Sequence, residues 1–347
     1  MSSPKFCIPE PLSGVPLATW FQQIATTNIT YKKYLPPNFF DRVCRAATPA
    51  DADVIILPNN FLKTDTRTDA YIAHWAAEGE RNKVPVYAFS LGDFTDGIRF
   101  DHRVHVFRLS LYRATASPRD IALPALTEDN AQDGITLRDK RDKPAVSFCG
   151  MGDLDTVRKR LGYHLKNLYY ELRAFGNSRE RARKLGVYWR RQVMAACARS
   201  PLVATHFIVR KTFSGSRKTI ELDPAQARKE YLESIINSDF VIAPKGDGNY
   251  SARFFKTLCM GRIPIIVDTD SVLPLEGRID YSKIAIRVPM ERVRETPRYV
   301  REFYDVLSPG EWQERQKLAR HTFETFLRQD SFFKYFFGTL FRRSETQ

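Results

Sequence analysis

Several patterns are missing from this 347-residue chain, and each absence closes a class of function. Its five cysteines, Cys7, Cys44, Cys149, Cys197 and Cys259, are widely spaced with no C-x-x-C pair. That spacing suggests neither a zinc site nor a disulfide framework, and an odd set fits a reducing compartment. Cys149 and Cys259 stand in apolar runs and read as core residues. No segment reaches the roughly 18–20 apolar residues that span a bilayer. The stretch Met1 to Gly14 has prolines at 4, 9 and 11 and no apolar centre, so it does not read as a signal peptide. The expectation is a cytoplasmic protein, with a peripheral position on the inner face of a membrane left open. There is no internal repeat and no low-complexity tract. Neither G-x-G-x-x-G nor G-x-x-x-x-G-K-S/T occurs, so neither a dinucleotide fingerprint nor a P-loop is indicated.

What is present is an ordinary globular composition, 43% hydrophobic and 27% charged, in a chain long enough for two domains. The 54 Lys and Arg against 40 Asp and Glu leave a net charge of +14. Such an excess favours anionic partners, whether nucleic acid, phosphorylated small molecules or a membrane surface; a solvated surface with a basic bias explains it equally. No zinc-finger spacing, aromatic RNP-type motif or long basic arm accompanies the charge, so nucleic acid is not the expected partner.

Short β-branched runs alternate with helical patterns. Strands are expected at Asp53–Pro58, Val84–Ser90, Val104–Leu109, Ala145–Cys149, Leu202–Val209, Phe240–Ala243, Ile263–Val267 and Ile284–Val288. Helices are expected at Thr68–Gly79, across the basic stretch Thr156–Ala198, at Pro224–Asn237 and at Ser251–Met260, the last closed by Gly261. That order implies an α/β fold with parallel, doubly wound sheets. Between Ala114 and Lys143 the pattern gives way to Pro118, Pro124, Asp129, Asn130, Asp133, Gly134 and a charge cluster, which reads as an interdomain linker or a long surface loop. The expected domains are residues 1–140 and 141–320, followed by a C-terminal helical segment, 321–347.

The chemistry concentrates in FVIAPKGDGNYSAR, Phe240 to Arg253: a strand, a turn on Gly246 and Gly248, and a helix start capped by Asn249 or Ser251. A turn at the C-terminal end of a parallel strand is where open α/β sheets bind ligands. A helix N-terminus there offers unpaired N–H groups to an anion, and Lys245 and Arg253 can reach a phosphate, the arginine with two parallel bonds. A tight turn also needs glycines with no ligand present, so the residues alone leave both readings open.

The run YLESIINSDFVIAPKGDGNYSARFFKTLCMGRIPIIV, Tyr231 to Val267, resembles the exostosin family, glycosyltransferase family 47. The likeness continues through Leu273-Pro274-Leu275 and Ile279 to Lys283. It is clear over about Arg228 to Val288; Ala52 to Pro58 and Pro144 to Gly150 are weaker echoes. The resemblance implies a GT-B fold, two facing Rossmann-like domains, with a nucleotide sugar held by the C-terminal one. It implies an inverting, metal-independent transfer with no cofactor, to a glycan or lipid-linked glycan acceptor in polysaccharide or lipopolysaccharide synthesis. The donor is expected to be UDP- or GDP-linked. The donor-binding set that follows is Arg210, Lys245, Gly246, Asp247, Gly248, Asn249, Tyr250, Ser251 and Arg253, with Lys211 as a further cation. Asp268-Thr-Asp270 has metal-site spacing but stands where a strand ends and reads as a turn.

An inverting transfer needs a general base. Asp93 and Asp96, in the glycine-bounded loop after Val84–Ser90, are the candidates, Asp93 first because it lies nearer the strand. His102 and His105 compete, although His105 alternates along a strand. Lys256 stands where the family commonly has an acid, and a lysine cannot accept hydrogen bonds from ribose hydroxyls. A catalytically inactive GT-B-like protein that binds a nucleotide or glycan is therefore a second reading. At the C-terminus, Phe332-Phe-Lys-Tyr-Phe-Phe337 with Arg342 and Arg343 reads either as an interfacial helix on an anionic membrane or as a helix packed on the fold.

Overall fold

The computed structural model describes residues 4–21, 38–94, 97–154, 156–212 and 222–344, the last five of these by backbone alone. Two compact units result. The first takes Met1–Asp129, Ser271–Leu275 and Thr325–Gln347; the second takes Asn130–Asp270 and Glu276–Glu324.

In the first unit, β1 (Lys5–Cys7), β2 (Cys44–Arg45), β3 (Val54–Asn60), β4 (Val86–Ser90), β5 (Val104–Arg108) and β6 (Asp120–Ala122) form one sheet in the order β2-β1-β3-β4-β5-β6. Every pairing between these strands is parallel. Side chains alternate across a strand, and the sheet uses both faces. Cys7, Ile55, Leu57, Val86, Ala88 and Val106 pack with Ile72 and Ala76 of α1 (Thr66–Asn82). Phe6, Val54, Ile56, Tyr87, Phe89 and Phe107 pack on the other side. Helix α1 begins on a capping box in which Asp65 accepts from the Thr68 backbone and the Thr68 hydroxyl answers Asp65, which satisfies two amides that the helix itself cannot.

The second unit holds β7 (Ala145–Met151), β8 (Ala204–Arg210), β9 (Phe240–Ile242), β10 (Ile263–Asp268) and β11 (Ile286–Pro289), again all parallel, in the order β11-β10-β9-β7-β8. The chain leaves β7 for β8 on one side and returns to β9 on the other, so β7 and β9 flank the topological switch point. Helices α2 (Val157–Arg173), α3 (Gly186–Ala198), α4 (Pro224–Ile236) and α5 (Ala252–Cys259) make the connections. After β11 come α6 (Thr296–Asp305) and α7 (Pro309–Thr322), the latter opened by a Ser308–Glu311 capping box.

The structure refines several expectations. The stretch 114–143 carries the passage from the first unit to the second at Asp129–Asn130 and is more than a surface loop: it supplies β6, and Leu123, Ala125, Thr127, Asp129 and Ala131 are buried. Strand β7 runs two residues past the expected Cys149 and takes in Gly150, which holds φ +143, and Met151. The basic stretch after Thr156 is broken into α2, a short 3-10 helix (Ser178–Arg183) and α3. Of the two readings of the C-terminal helix α8 (Gln329–Ser344), packing on the fold is the one seen: Phe332, Phe333 and Phe337 are fully buried against Phe6, Phe39, Phe40 and Phe107 of the first unit. Each such ring is stabilising by roughly 1.5–3 kcal/mol when removed from water. The side chains of Arg342 and Arg343 lie outside the described residues.

Candidate functional site

Arg253 occupies the switch point. It is the second residue of α5, and its guanidinium turns inward to donate to the Cys149 carbonyl of β7 (2.8 Å) and the Ile242 carbonyl of β9 (3.3 Å). It lies 4.1 Å above the Phe148 ring and also faces the Tyr231 ring. Gly150 makes room for it, since a Cβ there would stand 2.7 Å from Nη2. Burial pulls the Arg253 pKa down, with Arg210 adding to the effect and Tyr231 opposing it. The carbonyls use two of its five N–H groups and the Tyr231 hydroxyl accepts from the guanidinium as well, so only the remainder of the fork is left for an anion.

Arg190, on α3, escaped the sequence reading. Its side chain donates to the Met151 carbonyl at the end of β7 (3.1 Å). Burial, then the neighbouring Arg253, lowers its pKa to about 10, with Asp247 partly opposing both. Arg210 ends β8 and pairs with Glu230 at 2.7 Å. Three arginines from three elements thus meet at the C-terminal ends of the parallel strands. Nothing distinguishes Arg190 from its many basic neighbours in sequence; only the packing of α3 places it there. Gly186 gives the steric reason: a Cβ at this first residue of α3 would strike the Lys245 and Gly246 carbonyls at 2.4 and 2.5 Å.

The turn itself is closed by the Gly246 amide donating to the Tyr250 carbonyl at 2.8 Å. Gly246 has no left-handed φ, and a Cβ on it would meet nothing nearer than 3.7 Å, so the chain's own packing does not demand glycine there. Lys245 is 5% exposed, Gly248 is buried, Asp247 is exposed and Tyr250 is half-buried. Asn249 is held inside the fold: its amide donates to the Thr269 carbonyl (3.0 Å) and accepts from the Thr269 hydroxyl (2.7 Å). It therefore ties the turn to the end of β10 rather than capping α5. Ser251 occupies the cap position without a side-chain capping bond, which leaves the first amides of α5 for another acceptor. Lys211 is exposed.

Lys256 extends to the Asn130 side-chain oxygen, so the position of the family's acid carries a cation bound within the unit. Asp268 lies 3.8 Å from Arg287, and Asp270 sits in a left-handed turn at φ +58. Among the described residues no three His, Cys, Asp or Glu side chains gather as a metal cluster. A cleft of about 480 Å³ lined by Lys140, Arg141, Asp142, Arg301 and Asp305 lies beside the segment that enters β7, at the strand end opposite the arginines.

Asp93 belongs to the first unit, three residues past β4, in a loop whose start is held by the Leu91 amide on the Asn60 side chain (2.8 Å) and the Ser90 hydroxyl on the Phe61 carbonyl (3.0 Å). Its carboxylate is half-buried and has no hydrogen bond or ion pair among the described residues. Asp96 lies outside the described residues. His102 is exposed beside Asp101 at 3.6 Å. His105 stacks on Tyr87, and its Nε2 lies 2.9 Å from Arg119; burial, then Arg119, lowers its pKa to about 4.

Comparison with known proteins meets this site. Residues 172–303 match the exostosin GT47 domain, and Arg190, Arg210, Lys245 and Arg253 all fall inside the match. The Exostosin-1 homolog of Caenorhabditis elegans is 31% identical over 101 residues, 29% of this chain and 25% of that protein. Exostosin-1 of Drosophila melanogaster is 34% identical over 74 residues, 21% of this chain and 10% of that protein. The aligned stretches thus span a quarter or less of these relatives' own length. Among solved structures, the lipopolysaccharide outer core galactosyltransferase WaaB is 11% identical, covers 96% of this chain and 99% of its own, and superposes with a TM-score of 0.38. Over residues 172–303 the chain is exostosin-like.

Proposed function

We propose that the protein is a glycosyltransferase of the GT-B class whose second unit holds a nucleotide-sugar donor by its diphosphate. The observation that carries this reading is the pair Arg190–Arg253: two partly buried like charges at a topological switch point, inside the exostosin-like stretch. A protein gains no stability by burying two cations together, and such strain concentrates where an anion is to be bound. Lys245 and the first amides of α5 add to the same positive field.

The donor is UDP- or GDP-linked in this reading, and the acceptor is a glycan or a lipid-linked glycan. Asp93 takes the proton of the acceptor hydroxyl, whose oxygen attacks the anomeric carbon from the face opposite the leaving group. The bond from that carbon to the phosphate oxygen breaks, and the nucleoside diphosphate leaves with its charge met by the arginines. Preorganised cations at developing charge can do this without a metal. The cysteines of the chain are unpaired, which supports work in a reducing, cytoplasmic compartment.

Lys256 favours a second reading, donor binding without turnover, because the family's acid is replaced. Incubation with UDP- and GDP-sugars, EDTA and glycan acceptors separates the two. Nucleoside diphosphate release with a product of inverted anomeric configuration by NMR supports transfer. In the transfer reading Asp93→Asn retains donor affinity and loses turnover. Normal turnover in that variant would remove Asp93 as the base.

A further inference from the structure

Helix α2 carries an apolar stripe that faces away from its own unit. Val157, Leu161, Leu165, Leu168 and Leu172 recur every three or four residues, which places them on one face, and Phe175 continues the line. They are 81%, 59%, 58%, 55%, 59% and 87% exposed. The helix attaches by a different side. Tyr163 and Asn167 are its buried residues, Tyr163 packing with Leu154 and Val187 while the Asn167 side chain accepts from the Leu185 amide at 3.3 Å. A surface helix normally turns its leucines inward; this one is seated by a tyrosine and an asparagine and shows its leucines to solvent.

The charge around the stripe is mostly positive, although Arg173 is paired with Glu180 at 3.2 Å. Helix α2 carries Arg158, Lys159, Arg160, Lys166 and Arg173 against the single acid Glu171, and Glu171 is engaged by Lys184 and by Arg181 at 2.8 Å. Burial centres of protein–protein interfaces are depleted in lysine, whereas leucines flanked by lysine and arginine are the composition of helices that lie in the headgroup region of anionic bilayers. The stripe is roughly 23 Å long at 1.5 Å per residue, long enough to lie along a surface. Among the described residues no helix is long and apolar enough to cross a membrane.

We infer that α2 docks the protein on an anionic membrane surface, its leucines entering the acyl boundary and its cations meeting phosphate headgroups. The C-terminal phenylalanines, for which the sequence left this role open beside packing on the fold, are committed to a core. The inference does not rest on the glycosyl-transfer reading, because docking requires no donor.

The test is flotation of the full chain with phosphatidylcholine vesicles, with and without phosphatidylglycerol. The protein is expected to float with the anionic vesicles alone and to be released by high salt. Leu161→Ser, Leu165→Ser and Leu168→Ser combined should lower partitioning by at least about tenfold while the protein still melts cooperatively with only a small shift, since more than half of each side chain is already in water and serine costs only a little helix propensity. Failure of the wild type to float with anionic vesicles would overturn the inference, as would wild-type flotation of the triple variant. Light scattering that shows a dimer, made monomeric by the triple variant without any vesicle binding, would assign the stripe to a second copy instead.

Discussion

The second unit buries arginines at both ends of its sheet, and the two groups are built differently. At the entry to β7 and β9, Arg138 pairs with the fully buried Asp239 at 2.9 Å, and Asp239 also accepts from the Ala145 amide at 2.7 Å. Arg262 beside them donates to the Thr136 and Ile236 carbonyls and to the Gln316 side chain. At the exit from the same strands, Arg190 makes one hydrogen bond among the described residues and has Arg253 for a neighbour. Burial lowers both Arg262 and Arg190 to about 10, so desolvation does not separate the groups. What separates them is completion: at the entry a buried carboxylate and several acceptors answer the cations, whereas at the exit Arg210 has Glu230 while Arg190 makes a single hydrogen bond among the described residues.

The sharpest way to break this comparison is at the exit. Arg253→Lys keeps the charge and loses the fork, and turnover should fall by about 10²–10³ by analogy with removal of one donor at a developing charge. Arg190→Met should lose a similar share of turnover while its melting temperature holds or rises, because a buried repulsion is removed. A parallel loss of folding in Arg190→Met would make this arginine structural. At the entry the expected signs reverse. Arg138→Met leaves Asp239 buried without its partner and should cost about 3–5 kcal/mol in urea unfolding, with nucleotide affinity of the remaining folded protein unchanged.

A smaller effect belongs to the first unit. His105 has its pKa lowered to about 4, so between its unfolded value near 6.5 and about 4 the unfolded chain binds a proton that the folded chain refuses. Stability therefore falls as pH drops through that window, by roughly 1–3 kcal/mol in all. His105→Phe should flatten this part of the stability–pH curve, and an unchanged slope would show that other groups carry it.

Legibility in the sequence followed the range of the interactions. The β-branched runs gave most strands within two residues, because a strand buried on both faces declares itself locally. β1 was missed: the prolines around Lys5–Cys7 hid three residues that only their neighbours make a strand. The glycine turn was visible as a motif, yet the role of Asn249 was not, since its partner Thr269 stands twenty residues away. Arg190 was invisible for the same reason. Helices α2 and α8 show the limit most plainly. Both are basic and apolar in sequence, but α8 found an aromatic sheet face to cover and α2 did not, and composition cannot report which face a helix meets.

The most direct test of the central claim is a thermal-shift panel of UDP-, GDP-, CMP- and dTDP-sugars and their free nucleotides in EDTA, run on the wild type and on Arg190→Met. One nucleotide class should stabilise the wild type, by about 2.7 kcal/mol at a hundred times its dissociation constant, and should leave the variant's melt unmoved. Folded wild type that responds to none of these ligands, or a variant that responds as strongly as the wild type, would contradict a donor site at the exit arginines.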